Sequence, residues 1–256
     1  MQSTSGLSLR GVWLSYSRGR RHMVRVLEDV SLQLQAGEVL AVLAQRAQGK
    51  TSLLRVAAGI QQPDHGRVHL AGQDLWRLSE RRRSRLLSEQ IGWAGPTAPD
   101  LDVPMLAHVA LPLFARYGKR EAYARAAAAL ERVGAAKCSE QLWESLADWE
   151  RALVALAHGI AREPTLLLVD DLTASLGLGE ADEIAQLLDS LARERGFGVM
   201  MSVSDAGATG WSGRIATLAG GKLLETPTPP DESLGNVIDF PGPGMEDRDP
   251  IHGASS

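Results

Sequence analysis

Residues 38–59, EVLAVLAQRAQGKTSLLRVAAG, decide the fold of this protein. They begin with a short apolar run rich in valine and leucine, which is typical of a buried parallel strand. A segment without apolar periodicity follows, and Gly49-Lys50-Thr51 then opens an apolar helix that ends at Gly59. A strand, a loop, Gly-Lys-Thr and a helix form the arrangement of a phosphate-binding loop, in which N–H groups at the helix N-terminus favour an anion.

The residue types of this loop predict their roles. Lys50 is expected to reach the terminal phosphates and the Thr51 hydroxyl to hold Mg²⁺. The loop is irregular, because Ala44 stands at the first glycine of the pattern and Arg46 and Ala47 lie where the backbone must curl around phosphate. We therefore expect nucleotide binding that is weakened. The predicted nucleotide contacts are Ala44, Gln45, Arg46, Ala47, Gln48, Gly49, Lys50, Thr51 and Ser52.

The alternative is a strand-to-helix turn that contains Gly-Lys-Thr by chance. Lysine is scarce in this chain, because Lys119, Lys137 and Lys222 are the only others. A chance lysine at this place is thus less expected than in an average protein.

Composition and charge exclude several classes of protein. With 256 residues the chain has room for one large α/β domain or two small ones, and 44% apolar and 23% charged residues fit a soluble globular protein. A net charge of −4 gives no general case for nucleic-acid binding. The lone Cys138 cannot form an internal disulfide, which favours a reducing compartment, or it is a small residue without a role.

Nothing in the sequence predicts a membrane segment. No apolar run approaches the ~20 residues of a membrane span, and residues 1–10 lack the apolar core of a signal peptide. If the protein serves a membrane process, we expect another chain to supply the membrane part.

The N-terminal third predicts antiparallel strands. Residues 8–15 and 25–34 alternate apolar and polar side chains around a basic turn at 18–22, which is expected to be a solvated loop or, less simply, a contact for an anionic surface. Tyr16 precedes that turn, and its ring either packs at the strand end or stacks on a base.

Further short elements follow the phosphate-binding loop. A strand is predicted over 67–70 after a turn at 63–66, and His65 and His69 are interpreted as structural, because no cluster of cysteines or carboxylates completes a metal site. Residues 77–85 are basic and predict the exposed face of a helix rather than a nucleic-acid surface. Residues 91–94 predict another strand, and from 104 to 158 the pattern is helical.

Residues 165–171, TLLLVDD, are the second informative stretch. They predict a buried strand that ends in two carboxylates. In doubly wound sheets the ligands lie at that edge, so Asp170 is predicted to meet the Mg²⁺ of a nucleotide held by residues 44–51. A helix at 180–195, a strand at 198–203 and a pair of strands at 215–218 and 222–224 follow, and the Pro- and Gly-rich residues 226–256 predict a disordered tail.

The combination of the two phosphate motifs with a helical segment between them resembles the ATPase subunit of ATP-binding cassette (ABC) transporters. The resemblance covers residues 7–225 and looks most like the lipoprotein-releasing, macrolide-exporter and cell-division branch, on the stretches 91–93 and 109–113. It implies a P-loop NTPase core of α/β class, a mixed sheet flanked by helices, with an antiparallel β subdomain and an α-helical insert at about 97–160. It also implies ATP and Mg²⁺ as ligands, Thr51 and Asp170 on the metal, and Tyr16 stacked on adenine.

The chain departs from the family pattern at the positions that serve hydrolysis. The Q-loop glutamine corresponds to Pro96 and the Leu-Ser-Gly-Gly-Gln signature to residues 146–150, LADWE. The general-base glutamate corresponds to Asp171, a weak candidate base one methylene shorter, and a misplacement of ~1 Å can cost about a hundredfold in rate. The switch histidine corresponds to Ser204. Leu172 and Gly177 replace the usual proline and aspartate that follow the Walker B strand.

These departures predict an ATP-binding subunit that hydrolyses Mg-ATP weakly or not at all and has a regulatory or structural task. The resemblance further implies a separate transmembrane permease and a second ABC ATPase subunit as partners, no nucleic acid, and a peripheral position at the inner face of the cell membrane. Two alternatives remain open: a fully active ATPase motor, and a soluble regulator derived from such a subunit.

Overall fold

The computed structural model describes residues 6–17, 23–45, 47–95, 97–99, 102–204 and 213–226. Its strands form two sheets. Thr226, predicted to open the disordered tail, instead ends a strand, and the rest of that tail lies outside the described residues, as does the basic turn at 18–22. The strands are β1 (Gly6–Ser17), β2 (Met23–Gln35), β3 (Val39–Leu43), β4 (His65–Leu70), β5 (Gln73–Asp74), β6 (Ile91–Ala94), β7 (Leu166–Val169), β8 (Gly198–Val203), β9 (Arg214–Ala219) and β10 (Lys222–Thr226).

In the part of the chain that the structure describes, six α-helices and three short 3₁₀ helices surround these sheets. The 3₁₀ helices span Leu111–Leu113, Ala136–Cys138 and Trp143–Ser145. The α-helices are α1 (Lys50–Ala57), α2 (Glu80–Gln90), α3 (Met105–Ala110), α4 (Lys119–Arg132), α5 (Asp148–Ile160) and α6 (Leu178–Arg195).

The larger sheet carries the strand order β10-β9-β3-β8-β7-β6, and the smaller one the order β2-β1-β4-β5. The large sheet is parallel from β9 to β6, and β10 joins it antiparallel to β9. The smaller sheet is antiparallel. One consequence matters for the site: β8 lies between β3 and β7, so the carboxyl ends of these three strands meet at one edge.

Alternate residues of the large sheet face two different cores. In β7, Leu167 and Val169 pack with α3 to α6, whereas Leu166 and Leu168 pack with α1, α2 and the small sheet. Because both faces of the strand are covered, β7 is apolar at every position, as the sequence pattern of a buried parallel strand requires.

Helix α5 approaches the edge strand β6 closely. A Cβ atom added at Gly92 would lie 2.2 Å from the backbone oxygen of Gly159, so only glycine fits at this point of β6. Glycine thus sets the distance between the sheet and the helix that carries the signature segment.

The predicted α/β fold with a mixed sheet, an antiparallel sheet and helices between the two phosphate motifs is confirmed. The structure corrects two further boundaries. The strand predicted over 165–171 ends at Val169, because Asp171 adopts a left-handed backbone conformation, with φ of 46°, and its N–H donates to the Ser202 hydroxyl instead of to a backbone oxygen of a neighbouring strand. His65 and Gly66, expected in a turn, open β4, and His65 pairs with Trp13 of β1.

Candidate functional site

Helix α1 begins directly at Lys50, and its N-terminus is the centre of the site. Gly49 precedes it with φ of 97°, a left-handed conformation that glycine adopts at little cost. A Cβ atom at this position would lie 2.6 Å from Cγ1 of Val26, so the close packing of the loop against β2 also requires glycine. No acidic residue occupies the first turn of α1, which leaves the positive end of the helix dipole free for an anion.

The loop before α1 is held at both ends. The Ala44 N–H donates to the backbone oxygen of Val203 over 3.2 Å, which joins the loop to the tip of β8. Gln48 accepts a hydrogen bond from the Gly220 N–H over 3.3 Å. Ala47 has φ of 63°, where a side chain costs roughly 1–2 kcal/mol. The irregularity noted in the sequence therefore appears as backbone strain at Ala47.

Lys50 is buried, with 5% of its surface exposed, and its ammonium group is fully engaged. Its Nζ donates to the backbone oxygen of Ala44 at 3.2 Å and to the Ser204 hydroxyl at 2.5 Å, and it forms an ion pair with Asp171 Oδ1 at 3.0 Å. A phosphate that binds Lys50 must therefore replace at least one of these acceptors.

Asp170 lies across the loop from Lys50, next to Thr51. Its Oδ1 accepts hydrogen bonds from the Thr51 hydroxyl at 3.3 Å and from the Ser202 hydroxyl at 2.9 Å, and its N–H donates to the oxygen of Ala94. A hydroxyl and a carboxylate are the oxygen ligands that Mg²⁺ uses beside phosphate and water. The pair thus fits a magnesium ion, which would neutralise phosphate charge when bound.

Asp171 adopts a left-handed backbone conformation, with φ of 46°. Its N–H donates to the Ser202 hydroxyl over 2.8 Å, which holds this unusual conformation. The carboxylate accepts from the Ser204 hydroxyl at 2.9 Å and is paired with Lys50. The candidate base is therefore bound to the lysine and to the residue at the switch position.

Ser202 is the functional residue that sequence reasoning missed. It is fully buried and bridges the side chain of Asp170 and the backbone of Asp171. The available signal was a polar residue near the end of β8, a strand that is otherwise apolar and buried.

Tyr16 lies at the end of β1, with 38% of its surface exposed. Its hydroxyl lies 3.3 Å from the Ser52 hydroxyl in the first turn of α1. This contact agrees with both interpretations of Tyr16, packing at the strand end and stacking on a base. The residue lies beside the phosphate-binding loop, and much of its side chain is accessible.

The signature-like residues 146–150 form the start of α5. Leu146 is buried, and Asp148 and Glu150 both lie in the first turn. The Glu150 carboxylate accepts from the Ala147 N–H at 3.1 Å and pairs with Lys137 at 2.9 Å, and these partners lower the pKa of Glu150. The N-terminus of α5 is therefore capped by a carboxylate of the chain itself, that of Glu150.

Asp148 has a partner on its own helix. It forms an ion pair with Arg151 over 3.1 Å, and Arg151 also donates to the backbone oxygens of Trp143 and Glu144. Trp149 is half-buried and packs against the core beneath α5. These contacts hold a negative side chain and a bulky one at the tip of the helix.

Among the predicted positions, the structure brings together Lys50, Thr51, Asp170, Asp171 and Ser204. Arg46 and Pro96 lie outside the described residues. Among the residues that the structure describes, no group of three or more His, Cys, Asp or Glu side chains is arranged to hold a metal. The assignment of site residues stays a prediction from sequence and geometry.

The fold and this site define the class: a protein of the P-loop nucleotide-binding type, with the lysine of the loop, the hydroxyl after it and a carboxylate from a second strand at one sheet edge. The sequence profile described as ABC transporter matches residues 27–174, more than half of the chain. The chain belongs to the ABC transporter family, as an ATP-binding subunit.

The relatives agree with this assignment. The lipoprotein-releasing system ATP-binding protein LolD of Ruegeria sp. is 31% identical, over 86% of this chain and 97% of its own length. LolD of Pseudomonas syringae pv. tomato is 31% identical, over 88% of this chain and all of its own. The ABC transporter ATP-binding protein YbbA of Escherichia coli K12 is 32% identical, over 80% of this chain and 90% of its own length.

Solved structures show the same fold. The dimeric bacterial ABC transporter cassette MJ0796 superposes with a TM-score of 0.76 and 24% identity, covering 85% of this chain and 96% of that one. CbiO1 from Clostridium perfringens gives a TM-score of 0.74 at 23% identity, covering 85% and 86%. No helix in the described part of the chain is both long and apolar enough to cross a bilayer.

Proposed function

We propose that this ABC subunit binds Mg-ATP through Lys50, Thr51 and Asp170 and hydrolyses it weakly or not at all. Its task in the transporter is then regulatory or structural: with ATP bound, it stabilises a closed pair of ATPase subunits without turnover. The domain is proposed to span residues 7–225, with the helical insert at about 97–160 and the tail at 226–256.

The observation that carries the proposal is the set of contacts between Lys50, Asp171 and Ser204. A general base must hold its carboxylate free to accept a proton from the attacking water. In Asp171, Oδ1 is instead paired with the ammonium of Lys50 and accepts from the Ser204 hydroxyl, so only its second oxygen is left to accept a proton. Serine has no group that titrates near neutral pH, so Ser204 cannot perform the proton exchange of which a histidine is capable.

The start of α5 supports the same conclusion. In the family this segment caps the ATP of a partner subunit with a hydroxyl and with glycine N–H groups. Here Asp148 brings a negative charge and Trp149 brings bulk to that position. Both the electrostatic repulsion and the size oppose a close contact with a phosphate.

The family and the relatives support a proposal about the partners. One solved structure of the same fold is described as dimeric and bound to ADP and phosphate. We infer that this chain pairs with a second ABC ATPase subunit, docks on a transmembrane permease and resides at the inner face of the cell membrane. A more complete second subunit would still leave each of the two shared sites with one defective half: the base and the switch at one site, and the signature at the other.

The experiment compares binding with turnover in the full chain. We expect measurable affinity for Mg-ATP and a phosphate release rate at the detection limit. The double substitution Asp171→Glu with Ser204→His should raise the rate by about tenfold or more. It restores the side-chain length of the general base and places a titratable histidine at the switch position.

The matched control is Asp171→Asn, which removes the carboxylate but keeps its shape. If the unmodified protein releases phosphate briskly and Asp171→Asn abolishes the activity, the chain is an active motor and the proposal is wrong. Absence of Mg-ATP binding would contradict the first half of the proposal independently of the second.

A further inference from the structure

A second cavity lies where the end of α2 meets the 3₁₀ turn Leu111–Leu113 and the residues after α5. Its volume is about 290 Å³. Among the described residues, its wall carries three guanidinium groups, of Arg85, Arg116 and Arg162, and one carboxylate, of Glu89. None of residues 44–52 lines it, so it is separate from the nucleotide site.

Arg162 is the part of this wall that is held most firmly. Its Nε donates to the Pro112 oxygen at 3.1 Å and its Nη1 to the Ser88 oxygen at 3.3 Å. The side chain is half-buried, and this burial lowers the pKa of Arg162 below its ordinary value. No acidic residue within the described ranges forms an ion pair with Arg162. Two neutral carbonyls orient the guanidinium, but they do not neutralise its charge.

The other charges leave the wall positive. Arg85 pairs with Glu89 at 3.0 Å, a neighbour on its own helix, and an exposed pair of this kind contributes little. Arg116 is exposed, and its guanidinium lies 5.5 Å from the ring centre of Tyr117. The single carboxylate therefore compensates one of the three arginines.

We propose that this cavity binds a doubly charged phosphate group. Guanidinium groups match the geometry of phosphate oxygens and form short, charge-assisted hydrogen bonds with them. A dianion would compensate the two arginines that Glu89 leaves unpaired, and it would offset the cost of burying Arg162. The phosphate comes either from a soluble phosphate ester or from the headgroup of an anionic lipid. This binding is independent of the proposed weak hydrolysis.

The test uses the full chain with Lys50→Ala, so that the nucleotide loop does not take up the probe. Inorganic phosphate and glycerol phosphate are titrated by calorimetry, and vesicles of phosphatidylcholine with or without phosphatidic acid are tested by sedimentation. Loss of one charge-assisted bond should weaken saturable binding by about tenfold or more in Arg162→Gln and in Arg116→Gln. Arg82→Gln, an exposed arginine of α2 outside the cavity, should bind as the parent does.

Arg116→Gln keeps the test decisive if Arg162→Gln fails to fold, because the Arg116 side chain makes no hydrogen bond to the backbone within the described ranges. Binding of the soluble probes assigns the cavity to free phosphate esters, whereas binding of phosphatidic acid vesicles alone, with the same dependence on the two arginines, assigns it to a lipid headgroup. No saturable binding in either arm, or an equal loss in Arg82→Gln, would overturn the proposal.

Discussion

The N-termini of α1 and α5 are both potential anion sites, but their first turns carry opposite features. Each helix starts at the surface of the fold and points orphan N–H groups and the positive end of its dipole outward. In α1 the first turn contains no carboxylate, whereas in α5 it contains Asp148 and Glu150. Carboxylates of the chain itself thus occupy the place where a phosphate would otherwise be favoured.

This difference shows that a helix N-terminus is only an anion site when the chain leaves it open. At α1 a buried lysine adds a positive charge next to the free N–H groups. At α5 the basic residues Lys137 and Arg151 already form ion pairs with Glu150 and Asp148. The first end is suited to a triphosphate, whereas the second offers a phosphate no unpaired positive side chain.

The largest effect should come from the open end. Lys50→Ala is expected to weaken Mg-ATP binding at least about 100-fold, because the lysine supplies more than one charge-assisted hydrogen bond to phosphate. Fluorescent-nucleotide titration measures the change. The control Lys119→Ala, at the exposed start of α4, should leave the affinity unaltered. A change below threefold in Lys50→Ala would show that the N-terminus of α1 is not the phosphate site.

The α5 side can be loosened by acid without altering the α1 end. His158 stacks on His108 with ring centres 4.6 Å apart. Burial first, then the charges of His108 and Arg162, lower the pKa of His158 from 6.5 to about 4. The folded chain holds the neutral ring, so the unfolded chain takes up the proton first as the pH falls. Stability is fully present above pH 6.5 and is lost between pH 6.5 and about 4, by roughly 3 kcal/mol in total.

Denaturant unfolding near pH 7 and near pH 4 measures this loss. His158→Gln, which keeps a donor toward the backbone of Trp93, should remove most of the acid sensitivity. His65→Gln, at the exposed start of β4, is the matched control and should retain it. An unchanged pH slope in His158→Gln would show that other groups dominate.

Removing a carboxylate from the N-terminus of α5 should have a smaller effect on phosphate release. Starting from Asp171→Glu with Ser204→His, the further change Asp148→Asn is expected to raise phosphate release by about tenfold, because it removes a negative charge next to the phosphate of a partner subunit. Glu144→Gln, an exposed carboxylate in the preceding 3₁₀ turn, is the control. Equal rates in both variants would mean that charge at the tip of α5 does not limit turnover.

The smallest effect concerns the ring of Tyr16 beside α1. If the ring stacks on adenine, Tyr16→Ala should weaken ATP binding about fivefold, since stacking on a ring that stays partly exposed contributes about 1 kcal/mol, the low end of the range for a base on an aromatic side chain. Tyr16→Phe keeps the ring and should bind within about twofold of the parent. The same loss in both variants would assign the effect to the contact with Ser52 instead.

Much of the fold was predictable because the strands and helices carry local patterns. The apolar run before Lys50, the alternation in β1 and β2 and the run before Asp170 each follow from burial on one or two faces. The ends of the elements were less predictable. That β7 stops at Val169 depends on the backbone conformation of Asp171, whose N–H donates to Ser202 and whose carboxylate accepts from Ser204, two residues more than 30 positions away.

The candidate site was predictable in its residues but not in its connections. The motif Gly49-Lys50-Thr51 and the carboxylates after β7 are visible in the chain, whereas the role of Ser202 is not. A serine in a strand has no signature of its own, and its function appears only when β8 lies between β3 and β7.

The sequence alone determined that this chain carries a phosphate-binding loop in an α/β fold, because the loop needs a few residue types at fixed spacing next to a strand and a helix. The tertiary structure decided that the ammonium of Lys50 binds Asp171 and Ser204, and that three arginines from distant segments share one cavity. Such contacts depend on distances between side chains far apart in the chain, and only the packing of the sheet and its helices sets those distances.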